Sequence, residues 1–173
     1  MIMCEIRPMQ ASDFDSIMSI QAVCYSGDIP ESRASLQAKF DASPTTCLVA
    51  ESKRRVQAYL FALPWLSSAP PSLNAATCEL PAHPNCLYLH DLSVAPALRG
   101  TGTGKALIQR FFELQQQYCL PLACLVAVQN SVPYWRRFGF EVVAENPLFS
   151  EKLASYGADA RFMRRQAELA PVR

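Results

Sequence analysis

"RGTGTGKAL", residues 99–107, places three of the chain's six glycines within five positions and a lysine directly after the last. Glycines at this spacing let successive backbone amides point into one concavity, and they let a bulky ligand approach the main chain with no Cβ in the way. The flanks define the context. "CLYLHDLSV" (86–94) is apolar enough to be a central strand. Leu107, Phe111, Leu114 and Tyr118 then mark one face of a helix from about Gly102 to Tyr118. A strand, a glycine-rich turn and a helix N-terminus together make an anion site, because the free N–H groups and the positive end of the helix dipole point the same way. A plain strand-to-helix turn has little use for three glycines, which weaken the helix start they occupy.

Two familiar phosphate loops fail on particular residues. A Walker A loop, G-x-x-x-x-G-K-[ST], would need glycine at Arg99 and a hydroxyl at Ala106, where magnesium would be held. A dinucleotide fingerprint beginning at Gly100 and Gly102 would need its third glycine at Lys105.

The rest of the chain supplies a frame. "EIR" (5–7) reads as a first strand, and Ser12 with Asp15 resembles a capping box opening a helix with Phe14, Ile17, Met18, Gln21, Cys24 and Tyr25 at helical spacing. A weaker helix follows over about Glu31 to Phe40. "TCLVAE" (46–51) and "VQAYLFALP" (56–64) form a hairpin across "SKRR". Residues 65–86 carry Pro70, Pro71, Pro81 and Pro84 with no periodic pattern; a loop of this length, holding Trp65, Leu66, Leu73 and Leu80, reads as a lid or as a surface excursion. "LACLVAV" (122–128) is a buried strand, Ser131 caps a short helix with Pro133 in its first turn, and Gly139 ends it. "FEVVAE" (140–145) and "ARFMRR" (160–165) are the last strands. The expected architecture is α/β of the α+β kind: a mixed, mostly antiparallel central sheet flanked by helices, in one domain over 1–173.

The bulk numbers exclude several classes. With 16 basic and 15 acidic residues intermixed, the net charge of +1 gives no footprint for nucleic acid or an anionic membrane. The longest apolar run, "YLFALPWL" (59–66), is far short of the ~20 residues a membrane span needs. Seven cysteines without a CxxC pair suggest reduced thiols and a cytoplasmic protein. Cys78, His83 and Cys86 are too loosely spaced for a structural zinc site, and no metal is expected.

"LHDLSVAPALRGTGTGKAL" resembles the acetyl-coenzyme A binding motif of the GNAT superfamily of N-acetyltransferases. That pattern, [QR]-x-x-G-x-[GA], is met by Arg99, Gly102 and Gly104 after a strand ending in Val94 and Pro96. A second family signature, an Asn before a short helix ending in "GF", is similar to "NSVPYWRRFGF" (130–140). The resemblance spans residues 87–144 and implies a GNAT-type acyl-CoA N-acyltransferase fold, with transfer of an acetyl group from acetyl-CoA to a primary amine in a ternary complex. It implies that Leu92 and Val94 pair with the pantetheine arm. By the same resemblance, Arg99, Gly100, Thr101, Gly102, Thr103, Gly104 and Lys105 surround the pyrophosphate, Asn130 reaches the pantetheine arm, and Trp135 packs against the coenzyme or the core.

The chemistry needs a base for the amine, a donor for the oxyanion and an acid for the thiolate. An amide near Val94 is the oxyanion candidate. His90 is the first candidate for base, directly or through water, since an ordinary imidazole accepts a proton near neutrality, and Asp91 is the second. "YLHDLSV" resembles the strand of arylalkylamine acetyltransferases, with Tyr88 in place of one histidine; the alternative role of His90 is to shape the pocket. Where the family places a tyrosine acid, five positions before the final Phe140, this chain has Trp135. The role passes to Tyr134, to water, or is unused. Phe61, Trp65 and Tyr88 are the candidates for the acceptor side, which favours a small apolar or aromatic amine. The alternatives are a non-catalytic acetyl-CoA sensor and an acetyltransferase of protein N-termini or lysines. A homodimer is left open.

Overall fold

The computed structural model describes residues 3–27, 29–144, 146–147 and 149–168. Seven strands form one sheet: β1 (Glu5–Pro8), β2 (Leu48–Ser52), β3 (Arg55–Trp65), β4 (Cys86–Val94), β5 (Leu122–Ala127), β6 (Glu141–Val142) and β7 (Arg161–Gln166), in the order β1-β2-β3-β4-β5-β7-β6. Every pairing is antiparallel except β4 with β5. That parallel step is made by the crossover through α3 (Thr103–Gln117), as a parallel connection requires. The expected mixed, mostly antiparallel sheet flanked by helices is the observed one.

The period-2 alternation of the strands decides which helix covers which face. Ala58, Leu60 and Ala62 of β3 face Leu107, Ile108 and Phe111 of α3 and Trp135 of α4 (Val132–Arg136), whereas Tyr59 and Phe61 face Phe14 and Ile17 of α1 (Phe14–Cys24) and Leu36 of α2 (Arg33–Ala42). A third cluster lies toward β7, where Phe149, Leu153 and Tyr156 around α5 (Ser150–Ala154) cover Tyr88, Cys124 and Phe162.

Two expectations need correction. The capping box of the first helix is built by Gln10 and Asp13, through a short 3-10 turn, rather than by Ser12 and Asp15. Arg7 selects Asp13 by a two-pronged bond of 2.9 Å to each carboxylate oxygen, while Asp15 pairs with Arg33. The strand expected over 140–145 is only two ladder residues long, followed by one further bond from Val143 N–H to Phe162 O; Glu145 lies outside the described residues. The five-residue α5 is too short to show a period in the sequence.

The segment between β3 and β4 is irregular, as expected, and is pinned along its length. Asn85 bonds Ser67 and Trp65, the Tyr156 hydroxyl donates to Pro71 O at 2.6 Å, and Asn74 is tied to Ser32 and Glu31. These bonds hold its 67–74 stretch against Tyr156 and the connection between α1 and α2.

Candidate active site

Two features of β4 create the site. First, the register against β3 passes from Phe61↔Asp91 to Ala62↔Leu89, which leaves His90 as an extra residue in a β-bulge. The bulge resets the alternation, so Leu92 and Val94 come to pack on the α3 side together with Leu87 and Leu89. Second, β4 pairs with β5 only from Cys86 to Leu89, although β4 runs to Val94 and β5 to Ala127. Beyond Leu89 the two parallel strands fork. Ala95 N–H donates to Gln57 O on the β3 side at 2.8 Å, so Asp91 and Ser93 present their main-chain groups to β3, while Leu92 and Val94 turn theirs into the fork.

A cavity of about 280 Å³ fills this fork, walled by Leu89 to Leu92 and Val94 of β4, Leu125 and Val126 of β5, and Tyr134 and Trp135 of α4. Tyr25, Leu73 and Tyr156 also line it. A second cavity, of about 540 Å³, lies against the glycine turn, lined by Arg99, Gly100, Gly102, Thr103, Gly104 and Lys105, and by Arg137 and Phe138 from the α4 end. Val94 and Tyr134 line both.

The glycines of the turn have separate reasons. Gly100 (φ +77°) and Gly102 (φ +87°) occupy the left-handed region, with open space where a Cβ would stand. Gly104 is helical, and a Cβ there would come within 3.1 Å of the Tyr134 hydroxyl. The N–H groups of the first turn of α3 have no intrahelical partners, and three cations, Arg99, Lys105 and Arg137, surround the mouth. That geometry fits a diphosphate.

His90 is on the floor of the first cavity, but its side chain is fully buried. Its Nε2 is bonded to Glu31 Oε1, and its Nδ1 is buried with no hydrogen-bond partner. Glu31 is itself buried and ion-paired to Lys39, Nζ to Oε2 at 2.9 Å, and it also accepts from the Ser35 hydroxyl at 2.6 Å. Burial works to raise the Glu31 carboxyl, but His90, Lys39 and Ser35 outweigh it and hold the group far below the usual carboxylate range. Gln21 fixes the Glu31 backbone by bonding both its N–H and its carbonyl. Removing one partner of such a pair strands the other at roughly 3–5 kcal/mol.

Asp91 has the opposite balance. Burial pushes its carboxyl up to about 6, although the Tyr25 and Tyr59 hydroxyls donate to it at 2.7 and 2.8 Å. Both its oxygens are occupied. Tyr134 is half-buried, and burial raises its hydroxyl above the usual phenol range, so it stays protonated and able to donate.

The structure brings Leu92, Val94, Arg99, Gly100, Gly102, Thr103, Gly104, Lys105, Tyr134 and Trp135 to the two cavities, with His90 and Asp91 on the floor of one. Thr101 lines neither cavity; its hydroxyl donates to Leu98 O at 2.6 Å. Asn130 lines neither cavity; its N–H is tied to Asp159, and its neighbours Gln129 and Ser131 line the wall instead. The aromatic acceptor wall also differs from expectation. Phe61 points to α1 by strand alternation, Trp65 packs beside Tyr156 outside the cavity, and Tyr88 is buried in the same cluster. Tyr25, Leu73 and Tyr156 take their place. Arg137, Tyr25, Glu31 and Lys39 were not singled out from sequence: Arg137 stands within the "NSVPYWRRFGF" signature, and the others lie in a segment with no motif. Among the described residues no cluster of His, Cys, Asp and Glu is placed to hold a metal, and no helix is long and apolar enough to cross a membrane.

The fold has many solved counterparts. Ard1 from Thermoplasma volcanium superposes with a TM-score of 0.74 at 16% identity over 96% of this chain and 99% of its own. The ribosomal-protein-S18-alanine N-acetyltransferase of Escherichia coli gives 0.68 at 12% identity over 97% and 96%. PaiA N-acetyltransferase of Thermoplasma acidophilum, solved with coenzyme A, gives 0.67 at 14% over 95% and 99%. No curated protein matches the chain. Residues 14–140 match the acetyltransferase (GNAT) family, a stretch that runs from α1 through the forked strands and the glycine turn to Phe140. The chain belongs to that family, and acyl-CoA-dependent acyl transfer is the chemistry its forked sheet is built around.

Proposed function

We propose that the chain is an N-acetyltransferase that moves an acetyl group from acetyl-CoA directly to the primary amine of a small molecule. The observation that carries this reading is the meeting of two cavities at Val94 and Tyr134, one rimmed by cations and free amides, the other floored by a buried histidine. The first suits the diphosphate, held by the amides around Gly100, Gly102 and Gly104 with Arg99, Lys105 and Arg137. The fork between β4 and β5 suits the pantetheine arm, with the main-chain groups of Leu92 and Val94 turned toward it. The coenzyme, when bound, would supply a thioester, and Val94 and Tyr134, which line both cavities, would hold its reactive end.

His90 Nδ1 accepts the proton that the ammonium form of the acceptor must lose, through a water because the ring is fully buried. The freed amine lone pair forms the new C–N bond, and an N–H of the Leu92–Val94 edge faces the oxygen that gains charge. As the C–S bond breaks, the sulfur leaves with its electron pair and takes the Tyr134 hydroxyl proton, and the phenolate left behind takes the second proton that the acetylated nitrogen must lose, so the products are a neutral amide and a free thiol. Tyr134 fits this role because it lines both cavities and stays protonated. Trp135 has no proton to give; it packs against Phe140 in the core.

A small acceptor is favoured because the first cavity holds only about 280 Å³, at the lower end of small-molecule pockets. The test is thiol release from acetyl-CoA with 2-phenylethylamine, tryptamine, spermidine and a free-N-terminal peptide. Turnover on the arylalkylamines is expected, falling about a hundredfold in Tyr134→Phe. Turnover only on the peptide would replace the small-molecule reading with protein acetylation, and coenzyme binding without turnover on any amine would make the chain a binding module.

A further inference from the structure

The two oxygens of Glu31 serve different partners. Oε1 takes the bond from His90 Nε2, and Oε2 accepts from Lys39 Nζ at 2.9 Å, Ser35 Oγ at 2.6 Å and Asn74 N–H at 3.2 Å. An ionised carboxylate only accepts, so the His90 nitrogen that faces it carries the hydrogen. In a neutral ring the lone pair is then at Nδ1, the atom left without a partner. A carboxylate alone beside an imidazole would draw a second proton onto the ring and leave no base. Lys39 alters that balance, because its ammonium, 1% exposed, already neutralises Glu31. A proton added at Nδ1 would in addition be a buried donor with no acceptor beside it.

We propose that Glu31 and Lys39 act together as positioning residues: Glu31 fixes the His90 ring and its tautomer, and Lys39 keeps that ring neutral with the Nδ1 lone pair free. This rests on His90 being the base. The other titratable groups facing the cluster are Tyr88 and Asp91 from β4, Tyr25 after α1, Tyr156 after α5 and Cys78 from the segment between β3 and β4. None of them brings a positive charge, and the Asp91 carboxylate would favour imidazolium. Against that carboxylate stand the Lys39 charge and the missing acceptor at Nδ1.

The chain has two histidines, His83 and His90, so long-range proton–nitrogen NMR of the full chain can read the His90 tautomer directly. At neutral pH, the expected spectrum has Nε2 protonated and Nδ1 bare. Lys39→Met should convert the ring to imidazolium at the same pH, lower kcat/KM for 2-phenylethylamine about tenfold or more, and restore it as pH rises. Glu31→Gln should move the acidic limb of the pH profile the opposite way, downward. An imidazolium or an Nδ1-protonated ring in the unmodified protein overturns the proposal without any variant. So does a Lys39→Met protein whose ring and acidic limb are unchanged. If the tautomer is as expected but His90→Gln acetylates at the original rate, the positioning stands and the assignment of His90 as base fails.

Discussion

Gly102 and Gly104, two positions apart, should respond to alanine in opposite ways. Gly102 ends the turn at φ +87°, so a Cβ there is strained even though nothing crowds it, at a cost of about 1–2 kcal/mol. Gly104 is already helical, where alanine is favoured over glycine by about 0.8–1 kcal/mol, but its Cβ would press on the Tyr134 hydroxyl 3.1 Å away. Gly102→Ala should therefore lower the melting temperature, whereas Gly104→Ala should leave it unchanged or raised and still lose kcat, since the proton donor is displaced. Thermal melts beside steady-state kinetics separate the two; equal melting behaviour would mean that the turn does not impose the backbone seen here. Much of this was legible at residue level, because the glycine spacing and the Arg99 register identify the turn without coordinates. Which glycine serves the backbone and which makes room for Tyr134 was not, since that depends on α4 crossing the start of α3.

At the level of elements, the fork between β4 and β5 turns a strand into a binding edge. Both strands and nearly their bounds are legible in the sequence, but the bulge at His90 has no periodic signature within so apolar a run as "CLYLHDL". Read as an unbroken alternation, β4 would place Leu92 and Val94 on the face opposite Leu87 and Leu89; the extra residue returns them to the same face. The same limit explains the misassigned acceptor wall, which was drawn from aromatic residues near in sequence rather than from Tyr25 and Tyr156, brought in by other elements. The fork predicts a pattern in hydrogen exchange. Amides of Leu92 and Val94, turned away from β3, should exchange faster than those of Asp91 and Ser93, and acetyl-CoA should slow the first pair at least about tenfold while barely changing the second. Equal protection of all four in the free protein would mean that the fork is closed in solution.

Across the whole molecule, the acidic groups that matter most to stability are the buried ones, and they pull in opposite directions with pH. Glu31, in spite of burial, is held below its ordinary range by His90 and Lys39, and Asp13 by Arg7, so each stabilises the fold above its unfolded-state range and is lost as pH falls. Asp91 runs the other way, because burial lifts it to about 6 from an ordinary value of 3.8. Between those values the folded protein binds more protons at Asp91 than the unfolded chain does, so rising pH removes stability through this one group. A shift of that size corresponds to on the order of 2 kcal/mol across the window. The net slope of the intact protein mixes all three groups, and the Asp91 part is isolated by difference. Asp91→Asn should gain stability relative to the unmodified protein as pH rises from about 4 to about 6, by roughly that amount, in denaturant titrations at each end. A constant difference between the two proteins across the window would mean that Asp91 is ionised in the fold as easily as in water, with Tyr25 and Tyr59 fully compensating its burial.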